Sequence, residues 1–271
     1  MYVASDPRAK LAAANGDKPA QQLSSANYAR FYETEPQEHS GGVRTWYARA
    51  QNFVTVYSEA ADGTVFQRPE QPDEFAVLLP DPQSRAIIEW QDERVEVTGH
   101  SIIFVPPGPS RIELASGGRI VRLFTTQSAD MVAACPPGYE DDPNVPALEP
   151  WPEPAGGYRV RHYSMDIDQE QDRLGRLFRS RNFMINYIYP RSGPRARSSM
   201  SPHSHADFQQ CSLSLEGSYV HHLRWPWGND ADQWDEFLAA LGDAGRSIPL
   251  APIPGNHEYL PTTSRPIIVN S

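Results

Sequence analysis

An all-β fold, repeated along the chain, is what this sequence predicts, and three observations carry that expectation. Apolar residues fall in short runs of Val, Ile, Phe and Tyr separated by turn residues, and almost no helical period is present. Proline accounts for 26 of the 271 residues, and proline is barred from helix interiors and central strands. A nine-residue segment also recurs. Arg49-Ala50-Gln51-Asn52-Phe53-Val54-Thr55-Val56-Tyr57 matches Arg179-Ser180-Arg181-Asn182-Phe183-Met184-Ile185-Asn186-Tyr187, with Arg, Asn, Phe and Tyr in register and a glycine, Gly63 or Gly193, at the same distance beyond. Many short strands at hairpin spacing argue for a β-sandwich or barrel. The repeat argues for a duplicated domain.

In chain order, residues 1–27 read as a weakly ordered arm rich in Ala and polar residues. Strand material begins at Gly42–Tyr57 and ends at the turn Asp62-Gly63. Glu74–Leu79 is a short apolar strand, stopped by Pro80-Asp81-Pro82. Arg85–Trp90 and Arg94–Val97 follow, split by Gln91-Asp92-Glu93. Gly99–Val105 runs into Pro106-Pro107-Gly108, and Arg111–Leu114 and Arg119–Thr125 complete the first set. Pro136–Gly157 is a stiff, polar connection. The β pattern resumes at Tyr158–Met165 and returns at Ser218–Trp225 and Pro266–Val269. Asp232–Leu241 is the one convincing helical stretch, with Trp234, Phe237, Leu238 and Leu241 on one face as a packing or covering surface.

Composition excludes several function classes. The net charge is −10, from 24 basic and 34 acidic residues, and no Lys/Arg cluster is present. Nucleic acid and anionic membrane are therefore not expected partners. No run approaches the length of a membrane-spanning helix. Met1–Gln22 carries charges and no apolar core, so no signal peptide is expected. Two cysteines, Cys135 and Cys211, make no disulfide framework and point to a reducing cytoplasm. Cys211 reads as a small core residue.

The chemistry concentrates in Pro202–Gly217. His203 and His205 are two apart. On an extended strand, residues i and i+2 share a face roughly 6.6 Å apart along the strand, so both imidazoles can converge on one ion. Two amides follow. Spacing to Gly217 favours Gln210. Alternation favours Gln209, because Cys211, Leu213 and Leu215 then share its face and line an interior, with Ser212 and Ser214 facing out.

Pro202-His203-Ser204-His205 with Gln209/Gln210 and Gly217 resembles the first motif of the cupin superfamily, in which His-x-His precedes a Glu and then a Gly. Pro252-Ile253-Pro254-Gly255-Asn256-His257 resembles the second, a Pro/Gly turn before a third histidine. The resemblance covers 158–271 and, more weakly, 28–125. It implies two antiparallel cupin-type, jelly-roll-like β-barrels in tandem: a barrel at 28–134, the linker at 135–157 and a second barrel at 158–271. It further implies one divalent metal (Fe, Mn, Ni, Zn or Cu) in the second barrel, on His203, His205, His257 and a glutamine, for which Gln209 is the choice. An amide in the carboxylate's place leaves the site one charge more positive. Tyr187 and Tyr189 are expected to line the same cavity. His221 or His222 is a candidate second-layer group or general base, or a hydrogen-bonded wall residue.

In the first half, Phe66–Glu74 occupies the first-motif position with Glu74 as its one plausible ligand. Arg111 stands where the second-motif histidine would fall, and guanidinium cannot coordinate a cation. No metal is expected there. The half is structural or takes an anionic group through Arg68 or Arg111. His39, His100 and His162 have no partners in sequence and read as surface or core residues.

The functions these features imply are a metal-dependent oxygenase or isomerase on a small oxygenated molecule, or a non-catalytic cupin that binds a small ligand. A homodimer through the broad sheet faces is compatible with either. Gly255-Asn256-His257-Glu258 also resembles one block of the metallophosphoesterases, but the companion Asp-x-His, Gly-Asp-x-x-Asp and late Gly-His-x-His blocks are missing.

Overall fold

Side chains that alternate across a strand can face two different cores, and the central strands of this chain do. The computed structural model describes residues 27–143, 145–169, 175–190, 208–216 and 266–270. All of these but Asn27 belong to one compact unit. The expected arm, the strand at 218–225 and the helix at 232–241 lie outside the described residues.

The strands are β1 (Glu38–Ser40), β2 (Val43–Arg49), β3 (Phe53–Ala60), β4 (Thr64–Arg68), β5 (Phe75–Leu79), β6 (Arg85–Trp90), β7 (Glu93–Thr98), β8 (Ser101–Val105), β9 (Ser110–Ser116) and β10 (Gly118–Thr125). A short helix, α1 (Ala129–Ala134), precedes β11 (Arg161–Ser164), β12 (Gly175–Arg179), β13 (Met184–Ile188), β14 (Gln210–Ser214) and β15 (Pro266–Asn270). Every described pairing is antiparallel. The expectation of an all-β chain built on antiparallel sheets is met.

Three sheets result. One has seven strands in the order β1-β2-β3-β10-β5-β8-β11, and the others are β4-β9-β6-β7 and β12-β13-β15-β14. The seven-stranded sheet is sandwiched, which is why β5 and β8 are buried at every residue. On one face Phe75, Val77, Leu79, Ile103, Val105 and Phe124 pack with Ile88, Ile112 and Leu114 of β4-β9-β6-β7. On the other, Ala76, Leu78, Ile102, Phe104, Val121 and Leu123 pack with Phe178, Phe183, Ile185, Tyr187 and Leu213. Each such fully buried large side chain contributes about 1.5–3 kcal/mol.

The segment expected as one strand, Gly42–Tyr57, is a hairpin. Asn52 and its neighbours form the turn between β2 and β3, with Ala50 N donating to Phe53 O at 2.8 Å. The entry to β2 is a two-residue turn at Gly41 (φ +59°) and Gly42 (φ +78°), and a hairpin with both central residues at positive φ needs residues without a Cβ penalty. β11 pairs with β8, so a strand from beyond the proline-rich connection completes the seven-stranded sheet.

Candidate functional site

Of the expected metal ligands, His203, His205 and His257 lie outside the described residues, as do His221 and His222. Gln209 is half-buried immediately before β14. Its Oε1 accepts a hydrogen bond from Asn52 N at 3.0 Å, and its Nε2 donates to Tyr139 Oη at 3.5 Å. Gln210 opens β14 and is exposed.

The repeat read from sequence is present in three dimensions. The order β2-β3-β10-β5 recurs as β12-β13-β15-β14. Register recurs with it. Arg49 pairs with Val54 as Arg179 pairs with Met184. Thr55 pairs with Leu123 as Ile185 pairs with Val269, and Leu123 pairs with Ala76 as Val269 pairs with Cys211. The turns match as well, Ser180 N donating to Phe183 O at 2.8 Å just as Ala50 N does to Phe53 O.

Counting back two residues from the equivalent Ala76 and Cys211 makes Glu74 the counterpart of Gln209. Both have the same task. Glu74 Oε1 accepts from Arg181 N at 3.0 Å, and Gln209 Oε1 accepts from Asn52 N at 3.0 Å. Each residue thus holds the hairpin turn of the other repeat. The repeated asparagines lock the same turns, with Asn182 Nδ2 donating to Asp73 Oδ2 and to Glu74 O, each at 2.9 Å, and Asn52 Nδ2 donating to Pro146 O at 2.8 Å.

This equivalence corrects one sequence expectation. Cys211, Leu213 and Leu215 do not line an interior of the second repeat; they pack against the seven-stranded sheet. Burial there pushes the Cys211 thiol up to about 11. Tyr187 and Tyr189 belong to the same packed layer. The opposite face of β13 and β14 carries Asn186, Gln210, Ser212 and Ser214. In the first repeat the equivalent positions are Val56, Phe75, Val77 and Leu79, all buried in the apolar core between sheets. At these positions the first repeat packs apolar side chains into its core, and the second carries polar ones.

The first repeat's candidate polar groups are all engaged. Glu74, with no exposed side-chain area, pairs with Arg161 at 2.6 Å. Arg111 donates to Glu113 at 2.7 Å and reaches Glu89 at 3.4 Å. Arg68, which precedes Glu74 by the spacing that separates His203 from Gln209, donates to Gln71 at 2.9 Å and to both oxygens of Asp130. Those bonds hold the Asp130 carboxyl below the usual carboxylate range. Asp73 is pushed the other way by burial. No group of three potential metal-ligating side chains occurs among the described residues.

His39 and His162 are exposed, as expected. His100 is buried, at a φ of +57°, and has partners the sequence did not disclose. Its Nδ1 meets Asp166, and its Nε2 lies 3.3 Å from Tyr187 Oη. A cavity of about 220 Å³ lies beside His100, Tyr187, Arg119 and Glu216. Arg119 is held there by Asp81, by Glu216 at 2.7 Å and by Leu215 O at 3.1 Å. These partners come together only through strand pairing. The signal within reach of sequence was the recurring Asn52 and Asn182.

No helix among the described residues is long and apolar enough to cross a membrane. No family model matches the sequence, and no curated protein matches it. Among solved structures, the chain is similar to a Pseudomonas aeruginosa protein described as glyoxylate-induced, at 15% identity and a TM-score of 0.48, covering 94% of this chain and 93% of that one. It is similar to an oxalate decarboxylase at 11% identity and a TM-score of 0.45, covering 92% of this chain and 77% of that one. It is also similar to an RmlC-like cupin from Shewanella frigidimarina at 15% identity and a TM-score of 0.34, where 39% of this chain covers 96% of the other.

Proposed function

We propose that the chain is a bicupin whose second repeat holds one divalent metal on His203, His205, His257 and an amide, and binds a small oxygenated molecule beside it. The observation that supports this reading is the polar face of β13 and β14 in the second repeat. Asn186, Gln210, Ser212 and Ser214 stand where the first repeat has Val56, Phe75, Val77 and Leu79. Gln210 is exposed and Asn186, Ser212 and Ser214 are half-buried, so this face presents hydrogen-bonding groups where the first repeat packs apolar ones.

The donor chemistry fits a metal. Two imidazoles spaced i, i+2, a third histidine after a Pro/Gly turn and an amide oxygen make a four-donor set of neutral ligands suited to a divalent transition ion. In this reading the amide is Gln210, which shares the face of Ser212 and Ser214, while Gln209 serves the Asn52 turn. The metal, when bound, supplies Lewis-acid polarisation of a bidentate oxygen ligand, or redox chemistry if it is iron. Asn186, Ser212 and Ser214 supply hydroxyl and amide groups that orient the bound molecule.

Elemental analysis of protein prepared without added metal tests the reading. About one equivalent of a single transition metal is expected, falling at least tenfold in His203→Ala. A content below about a tenth of an equivalent that His203→Ala does not lower would sink it. Gln210→Ala is expected to weaken metal retention more than Gln209→Ala; the reverse order assigns the amide to Gln209. Oxygen uptake by the Fe(II)-loaded chain, screened over 2-oxo acids and diketones, separates an oxygenase from an isomerase or a binding protein.

A further inference from the structure

The two arginines that the sequence offered for an anion, Arg68 and Arg111, are both neutralised by carboxylates. A third arginine makes no ion pair among the described residues. Arg122 lies on β10, paired in register with Val56 and Val77, and so points to the face those residues share inside the first repeat. It is 7% exposed. Its guanidinium lies 4.1 Å over the Phe66 ring and donates to Ser58 Oγ at 3.1 Å. Its Nε has no hydrogen-bond partner.

A guanidinium presents five N–H donors in a fixed fork. Here one hydroxyl and one aromatic face are its close company. Burial pushes its pKa down to about 10; Tyr47 and Glu38 act against that, and Arg68 on β4 adds like-charge repulsion. A buried cation without a direct ion pair is costly for a core to hold. The surrounding groups are hydrogen-bonding ones. Ser58 Oγ and Thr45 Oγ1 are 2.9 Å apart and both residues are buried. The Tyr47 hydroxyl is in electrostatic range and itself hydrogen-bonds Glu38.

We propose that the first repeat binds a small carboxylate through the free edge of Arg122, with the Ser58 and Tyr47 hydroxyls at its rim. A planar oxyanion fits the guanidinium fork bidentately and supplies a directly paired negative charge. The half that resembles a metal barrel without ligands is then a charge-inverted one. Where a metal barrel presents lone pairs to a cation, this one presents N–H groups to an anion. The site is independent of the metal reading.

Thermal unfolding of the full chain in formate, acetate or oxalate, against sodium chloride at matched ionic strength and with a chelator present, tests it. Wild type is expected to show a saturable rise in Tm, roughly 5 °C at a hundredfold excess over Kd. Arg122→Met should lose the rise and unfold at a higher baseline temperature, because the buried charge is gone. Arg122→Lys keeps the charge without the fork and should bind at least tenfold more weakly. Arg111→Ala should respond as wild type. A His203→Ala background should leave the rise intact, which separates this site from the metal. No rise above the chloride control, an equal rise in Arg122→Met, or, should that variant fail to fold, an undiminished affinity in Arg122→Lys overturns the proposal.

Discussion

Asn182 is among the most constrained side chains of the molecule. It is buried, and its amide spans Asp73 Oδ2 and Glu74 O. Asn182→Ala removes both bonds, leaving Asp73 Oδ2 with Thr125 Oγ1, and is expected to cost about 1–3 kcal/mol in urea unfolding. Gly99 is constrained by space. A Cβ there would sit 1.8 Å from the Asp81 carbonyl oxygen, so Gly99→Ala must displace backbone and should cost about 3 kcal/mol. Asp130 is a milder case with a pH signature. Hydrogen bonding to Arg68 lowers its folded pKa, so its contribution is present above the unfolded carboxylate's pKa and is lost as pH falls through the folded value. Its side chain is 57% exposed, which limits the pair to about 1 kcal/mol. Asp130→Asn should lower stability by that amount at neutral pH and by nothing in strong acid, read from urea midpoints at the two pH values. Arg68 itself was visible in sequence as a candidate for an anionic group. Its partner Asp130 was not, because 62 residues separate them.

At the scale of elements, the repeated hairpins β2–β3 and β12–β13 bring the sheets together. Phe53 and Phe183 fill the layer between them and are 3% and 1% exposed. Phe183→Ala should cost about 3–5 kcal/mol in equilibrium unfolding, more than Leu177→Ala, whose side chain is 49% exposed. Period-two runs made β5 to β10 legible, since strands with β-branched and aromatic residues between turn signals leave a local trace. β4, β12 and α1 were not legible. Thr64–Arg68 and Gly175–Arg179 mix arginine with apolar residues, and α1 is a single short segment with no buried residue to set a period. Alternation also could not say which face of β14 looks inward, because an apolar run is drawn equally to a barrel interior and to a neighbouring sheet.

At the scale of the whole molecule, the seven-stranded sheet serves two cores, and a buried ion pair bridges the repeats across it. Glu74 before β5 meets Arg161 of β11 and the Arg181 amide of the second hairpin. Arg161→Ala would strand a fully buried carboxylate. The expected loss is about 3 kcal/mol, seen as a lower urea midpoint with one transition in both near- and far-ultraviolet circular dichroism. Two separated transitions would mean that the repeats unfold independently and that the shared layer couples them weakly.

What the amino-acid sequence determined by itself is the all-β architecture and its internal repeat, and it proposes metal-type donors at 203–210 and 257, because hydrophobic period, proline placement and ligand spacing are local properties of the chain. What only the tertiary structure decided is which faces of the first repeat's strands became an interior, that Glu74 and Gln209 are equivalent holders of the opposite turn, and that the buried Arg122 keeps a Nε without a hydrogen-bond partner. Those depend on strand register and on sheets laid face to face, and contacts between residues a hundred positions apart are set by the packing of the whole rather than by any segment of it.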